Sequence, residues 1–292
     1  MIKVLILGST GLLGSTLLKY FSKKNNFKCY GAIRKNPYST KLRNISTKLR
    51  NIKNIKICKI DYKKKSDIIT VFNQIKPNII INCIGIINKF TQKNKISETI
   101  RINSILPHDL AEIVNLKKKR LIHFSTDCVF SGKKGNYIET DIADPQDVYG
   151  QSKLLGELNY PNTLTLRTSI VGHELQSKNG LLEWFLDQNK PVKGYKNAIF
   201  SGLTALEIAK VLDKFVIPNT DLEGLYQLSG KKISKYDLLD IIKKVYKKNI
   251  KININKNVKV NRSLNSNLFQ QITGYKPKTW NKMIKEMFEF ST

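Results

Sequence analysis

Tyr149 and Lys153 lie four residues apart in Asp147-Val148-Tyr149-Gly150-Gln151-Ser152-Lys153-Leu154-Leu155-Gly156-Glu157. On a helix that spacing puts both side chains on one face. An ammonium beside a phenol favours the phenolate and lowers a pKa that is otherwise about 10. A tyrosine tuned in this way can pass a proton to or from a substrate oxygen near neutral pH. The spacing alone fits an ordinary amphipathic helix equally well, so its meaning depends on what else the chain carries.

A nucleotide loop would supply that context. Ile2-Lys3-Val4-Leu5-Ile6-Leu7 is a short, β-branched, mostly apolar run that reads as a buried parallel strand. Gly8-Ser9-Thr10-Gly11-Leu12-Leu13-Gly14 follows at once, and Leu17-Leu18-Lys19-Tyr20-Phe21 continues with helical character. Strand, glycine turn and helix are what a dinucleotide-binding loop requires. Gly8 suits the tight turn, Gly11 a close approach of backbone to pyrophosphate, and Gly14 a close approach of helix to strand. The helix N-terminus offers free N–H groups and a positive dipole to phosphate. The spacing is G-x-x-G-x-x-G, not the commoner G-x-G-x-x-G.

A longer block narrows the reading. It runs His123-Phe124-Ser125-Thr126-Asp127-Cys128-Val129-Phe130-Ser131-Gly132, then Gly135-Asn136-Tyr137-Ile138-Glu139-Thr140-Asp141, then Pro145-Gln146-Asp147-Val148-Tyr149-Gly150-Gln151-Ser152-Lys153. With the glycine loop, it resembles the extended short-chain dehydrogenase/reductases, and within them the dTDP-4-dehydrorhamnose reductase family. The resemblance is close over residues 1–172 and loose beyond. It implies a nicotinamide-dependent reductase of a nucleotide-sugar in polysaccharide biosynthesis. The resemblance gives Tyr149 the proton and Lys153 the nicotinamide ribose. Thr126 becomes a hydrogen-bond donor to the reacting oxygen, ahead of its neighbour Ser125. Asn103, in Ile102-Asn103-Ser104, matches a family asparagine that helps place the catalytic residues.

The cofactor is read at strand ends. NAD sites usually carry an acid after the second strand, bonded to the ribose 2′-OH. Here the sequence is Ala32-Ile33-Arg34-Lys35. Arg34 can fork onto a 2′-phosphate and Lys35 adds charge, which favours NADPH over NADH; stacking on adenine is the plainer role for Arg34. Asp61 could accept from the adenine amino group, and Asn82 and Gly85 would line the groove. No metal-ligand spacing is present.

The substrate reading departs from the family pattern in two places. Cys128 stands where an aromatic is usual and reads as a small core filler. Ile170, in Arg167-Thr168-Ser169-Ile170-Val171-Gly172-His173, stands where a tryptophan would stack on the sugar. The sugar and its nucleotide therefore stay open. Cys128 also argues against a dehydratase, which would carry a glutamate there. His173 reads as structural, and Trp184 as core. A sugar epimerase or epimerase-reductase, and a non-catalytic cofactor-binding regulatory subunit, remain as alternatives.

These residues need a scaffold to position them, and the chain alternates strand and helix. Strands are expected at 2–7, 27–33, 56–60, 78–84, 120–125 and 163–168, with a helix over 97–115. The pattern predicts an α/β fold: a doubly wound parallel Rossmann sheet with a smaller C-terminal lobe. Residues 1–170, with returning elements near 203–228, form the expected NADP-binding domain, and 171–202 with 229–292 the substrate lobe. In the latter, 197–202 reads as a loop, Ala205 to Phe215 as a helix, and Ser234 as the N-cap of a helix from Lys235 to Lys247.

Composition bounds the rest. The 292 residues carry 51 Lys+Arg against 22 Asp+Glu, a net charge of +29. The lysines are spread along the chain among abundant Asn and Ile, and no nucleic-acid motif accompanies them. The charge thus reads as composition plus a field that draws in anionic ligands, with no nucleic-acid partner. The four cysteines are scattered and read as reduced thiols. No apolar run approaches the length of about 20 residues that spans a bilayer, so a cytoplasmic protein with no membrane partner is expected. A homodimer is left open. Ser39-Thr40-Lys41-Leu42-Arg43-Asn44-Ile45 recurs unchanged as 46–52, a tandem copy to which no function is assigned.

Overall fold

A computed structural model of the chain describes residues 1–34, 54–87, 95–175 and 177–291. Lys35 and the tandem copy at 39–52 lie outside the described residues. The central sheet has seven strands: β1 (Ile2–Leu7), β2 (Phe27–Arg34), β3 (Ile55–Ile60), β4 (Ile79–Asn82), β5 (Arg120–Thr126), β6 (Thr163–Thr168) and β7 (Gly224–Gln227). Their order is β7-β6-β5-β4-β1-β2-β3. The pairs β1–β2, β1–β4, β2–β3 and β4–β5 are parallel. The order reverses between β1 and β4, which makes the carboxyl ends of those strands the switch point of a Rossmann sheet.

The sheet is covered on both faces. Leu5, Leu7, Ile80 and Leu121 point to one side. They pack with Ile68, Val71 and Phe72 of α2 (Lys65–Ile75) and Leu110, Ile113 and Val114 of α3 (Leu106–Leu116). The alternate residues meet α1 (Leu12–Phe21) on the other side. There Gly31 of β2 has no side chain. Leu18 Cδ2 and Ile57 Cδ1 each sit 2.9 Å from where a Cβ would stand. Strands buried on both faces explain the near-continuous Val and Ile runs of the sequence.

The helix expected over 97–115 is interrupted. Ile96–Ile100 is α-helical, Arg101–Ile105 is a π-helical turn, and α3 follows with Pro107 in its first turn. A π-turn adds one residue to the loop closed by each bond, and such turns gather at functional sites. The fourth strand is shorter than expected, Ile79–Asn82, because the backbone beyond it turns to meet Asn103.

Two compact units divide the chain. The first comprises 1–125, 147–166 and 221–225; the second comprises 126–146, 167–220 and 226–292. In the second unit, the stretch read as a loop at 197–202 contains a strand, Ala198–Phe200. It is held antiparallel to Ile233–Ser234 and parallel to Val260–Asn261. Ser234 does cap the next helix, Lys235–Val245, accepting from the Asp237 N–H at 3.0 Å. The helix from Ala205 is α-helical to Val211 and π-helical over Leu212–Val216. Trp184, expected in the core, is 36% exposed, and Leu182 and Phe185 fill the core instead. Among the described residues, no helix is long and apolar enough to cross a membrane.

Candidate active site

The glycine loop is built by contacts that leave no room for side chains. Gly8 has φ +72° and its N–H faces the Tyr62 hydroxyl at 3.5 Å. A Cβ on Gly14 would stand 2.3 Å from the Gly8 carbonyl oxygen. Helix α1 therefore starts directly against the end of β1, and Gly11 begins it with its N–H on Gly8 O at 2.9 Å. Ser9 is buried and turned away from the loop mouth, its hydroxyl donating to Ala32 O at 2.9 Å. Thr10, Leu12 and Leu13 complete the turn, with Leu13 in the core. Tyr62, which sequence reasoning missed, sits beneath the loop; burial raises its pKa.

At the strand ends, Arg34 closes β2 in an exposed position beside Ile60. Asp61 Oδ1 accepts from Lys63 N at 3.1 Å, while its own N–H donates to Asp67 at 2.7 Å. Asn82 is buried at the end of β4, and its Oδ1 accepts from Ile84 N at 3.1 Å. A Cβ on Gly85 would stand 3.7 Å from Asn103 Oδ1.

Asn103 of the π-turn is the hub. Its Oδ1 accepts from Ile86 N at 2.8 Å, and its Nδ2 donates to Ile86 O at 2.9 Å and to Ser152 Oγ at 3.0 Å. It thus ties the segment after β4 to α4 (Val148–Leu155), the helix that carries Tyr149 and Lys153. Ser104 Oγ adds a bond to Ser152 O at 2.8 Å. Asp147 caps α4 by accepting from Gly150 N at 2.7 Å. Gly156 ends it so close to the π-turn that a Cβ would stand 1.9 Å from Asn103 O. Ser152 and Gly156 were visible in the motif but carried no assigned role; their partners are about fifty residues away in sequence.

Lys153 is 4% exposed. Its Nζ donates to Phe124 O at 2.7 Å and lies 3.3 Å from His123 Nε2. Burial pulls its pKa down to about 8, partly offset by the nearby Glu157 and Cys83. His123 is fully buried, and its pKa falls well below the ordinary value through burial and then the Lys153 charge. Ser125 Oγ donates to Glu157 at 2.6 Å. Tyr149 is half-buried, one turn before Lys153.

Thr126, the last residue of β5, begins the second unit. Its Oγ1 lies 3.3 Å from Asp127 Oδ1, to which it donates, and accepts from Cys128 N at 3.2 Å. Burial raises the Asp127 pKa, against the opposing charges of Lys235 and Arg262. Cys128 is half-buried with its thiol on Asp127 at 3.6 Å, so it is not a core filler. The rest of the motif is architectural. Tyr137 stacks on Phe130 with centroids 4.0 Å apart, and its hydroxyl accepts from Gly132 N at 3.1 Å. His173 is fixed between Glu183 at 2.6 Å and the Tyr246 hydroxyl at 2.8 Å, consistent with a structural role. Among the described residues, no cluster could hold a metal ion.

A Rossmann sheet with a glycine cradle, and a Tyr-x-x-x-Lys helix fastened beside it, define a dinucleotide-binding fold of the short-chain reductase type. The family described as "RmlD substrate binding domain" matches residues 2–292, and the chain belongs to that family. A dTDP-4-dehydrorhamnose reductase of Aggregatibacter actinomycetemcomitans is 29% identical over 189 residues, which is 61% of this chain and 64% of the relative. The match thus spans just under two thirds of that curated relative. A dTDP-4-dehydrorhamnose reductase of Bacillus anthracis solved with NADP superposes with a TM-score of 0.77, at 19% identity over 99% of each chain. A dTDP-glucose 4,6-dehydratase of the same organism, solved with NAD, gives 0.80 at 18% identity, over 100% of this chain and 96% of that one. At these identities the superpositions speak for the fold.

Proposed function

We propose that the chain is an NADPH-dependent reductase of a nucleotide-linked 4-keto-deoxysugar, acting in cell-surface polysaccharide biosynthesis. The observation that carries this reading is α4. Its Tyr149 and Lys153 are one turn apart, its start is capped by Asp147, its end at Gly156 lies against the π-turn, and Ser152 ties it through Asn103 to the segment that follows β4. The fold is shared with a dehydratase, so the choice of reduction rests on the family match and on Cys128 in place of the glutamate a dehydratase would carry.

The residues present fit a dinucleotide. The close approach of Gly14 to Gly8 keeps the N-terminus of α1 open to a pyrophosphate, and Arg34, exposed at the end of β2, would be the partner of a 2′-phosphate. When bound, the nicotinamide supplies the hydride. Tyr149 gives the proton to the carbonyl oxygen as it becomes a hydroxyl. Lys153 holds the ribose and, while it carries its proton, favours the phenolate that Tyr149 leaves behind. Thr126 is the proposed donor that polarises the carbonyl, a role resting on the motif. The first unit is assigned the cofactor and the second the sugar.

The test is an NADPH-oxidation screen over dTDP-, UDP- and GDP-linked keto-sugars. Net loss of NADPH with one of them is expected. Turnover of sugar without such loss would identify an epimerase, and no turnover with intact cofactor binding a regulatory subunit. Within the same assay, Arg34→Ala should weaken NADPH about ten- to a hundredfold while leaving NADH nearly unchanged. Equal losses for both cofactors would remove the 2′-phosphate assignment.

A further inference from the structure

Among the described residues, Asn82 and Lys153 lie within hydrogen-bonding distance of the His123 ring, and both present nitrogen. Asn82 and His123 are register partners on β4 and β5, so their side chains meet on one face of the sheet. Asn82 Nδ2 lies 3.1 Å from His123 Nδ1. The amide cannot be turned round without loss, because its Oδ1 already accepts from Ile84 N. Asn82 therefore donates, and His123 Nδ1 must accept. A neutral imidazole has one N–H, and it then sits on Nε2. Nε2 points at Lys153 Nζ, 3.3 Å away. An ammonium has only donors, whereas a neutral amine can accept a hydrogen bond from Nε2–H with its lone pair and still donate an N–H to Phe124 O.

We propose that His123 is a positioning residue for Lys153: oriented by Asn82, it presents its Nε2 proton to the lysine nitrogen and tips Lys153 toward the neutral amine. The proposal rests on the reading of Lys153 as part of the reductase site. Other groups act on the same pair. Glu157 beyond α4 and Cys83 beyond β4 favour the charged lysine, while His108 of α3 disfavours charge on His123. Burial already lowers the lysine, and the imidazole acts in the same direction by geometry. The pH at which Lys153 gains its charge is thus set partly from β4 and β5, on the side of the lysine away from its own helix. A histidine buried only to fill space would have no such effect.

Nitrogen-15 NMR tests this without any sugar or turnover. The chain has three histidines, so deletion in His123→Phe assigns the His123 signals. In the parent protein the neutral Nε2–H tautomer is expected. The Lys153 amine, followed through labelled lysine and assigned with Lys153→Met, should titrate at least about one pH unit higher in His123→Phe than in the parent, a tenfold change in proton affinity. An Nδ1–H tautomer in the parent would overturn the proposal, as would an unchanged Lys153 midpoint in a folded His123→Phe. The tautomer measurement needs no variant that must fold differently from the parent. A protein that reduced no sugar could still pass both measurements, so failure here and failure of the reductase reading stay distinguishable.

Discussion

Lys153 in the first unit and Glu207 in the second are both buried charges, 4% and 3% exposed, and their surroundings differ. Glu207 is fully compensated. Lys278 Nζ lies 2.9 Å from one carboxylate oxygen, and the Tyr275 hydroxyl donates to the other at 3.3 Å. Lys278 in turn reaches Glu286 at 2.9 Å, and Glu286 also holds Lys210. Burial pulls on Lys278, but its bonds to Glu286 and Glu207 prevail and its pKa is raised. Around Lys153 the hydrogen-bonding groups are a carbonyl and a neutral imidazole, with no carboxylate in contact among the described residues. A buried charge that is paired ties elements together; one left with neutral partners keeps a soft proton. The first arrangement suits stability, and the second suits the proton chemistry proposed for Lys153.

The largest test of that contrast is Tyr149→Phe. It keeps the ring and removes the proton donor. Steady-state kinetics with the sugar found by the screen should show kcat lower by about 10²–10⁴-fold with thermal stability little changed. Lys153→Met should lose rate too, and should also weaken cofactor binding. If Tyr149→Phe turned over near the parent rate, the softness of Lys153 would have no catalytic meaning.

Glu207→Leu probes the other side. It leaves Lys278 with Glu286 alone, so the expected cost is roughly 2–4 kcal/mol, around the lower end of what breaking a buried pair costs. Urea unfolding would measure it. Activity per folded molecule should hold, and a kcat loss at unchanged stability would reverse the assignment of roles.

Gly156→Ala addresses how Lys153 is held. The added methyl meets the Asn103 carbonyl, so α4 or the π-turn must shift. A loss of about 1–3 kcal/mol is expected from overpacking, together with a fall in kcat. A stable variant of full activity would mean that the close approach does not position the helix.

Much of this was legible in the sequence and part was not, for identifiable reasons. The strands of the sheet were read closely because buried parallel strands are continuous apolar runs, and β6 matched residue for residue. Gly8, Gly11 and Gly14 carried their own spacing, as did Tyr149 and Lys153. What escaped depends on partners remote in the chain. His123 stood in the quoted motif, yet its role comes from Asn82, forty-one residues earlier, through strand register. The break at Arg101–Ile105 escaped because a π-turn leaves the apolar pattern nearly intact; Pro107 was its one local sign. The strand at Ala198–Phe200 was hidden because its three residues gain meaning from pairing with 233–234 and 260–261. Trp184 was misplaced because periodicity marks a helix's apolar face but not its edge.

The smallest effect is also the most specific to Lys153. Its pKa in the folded chain is about 8, against 10.5 for an ordinary lysine. Between those values the unfolded chain holds more proton than the folded one. Raising pH through that window therefore removes the cost of burying a charge, and stability gains from this residue as pH rises. Below about pH 8 the cost is fully present, and above the ordinary lysine value it is gone. The slope is at most about 1.4 kcal/mol per pH unit. Cysteines and tyrosines whose pKa values burial raises in the folded chain titrate in this range once unfolded, so the measurement is a difference: parent minus Lys153→Met, by urea unfolding from pH 7.5 to 10. The parent should gain on the variant as pH climbs. Glu207→Leu, compared with the parent in the same way, should give a flat difference, because nothing at that pair has a proton to lose below the raised lysine. Parallel curves for Lys153→Met would mean that Lys153 holds its proton as firmly as Lys278 does, and the contrast between the two buried charges would collapse.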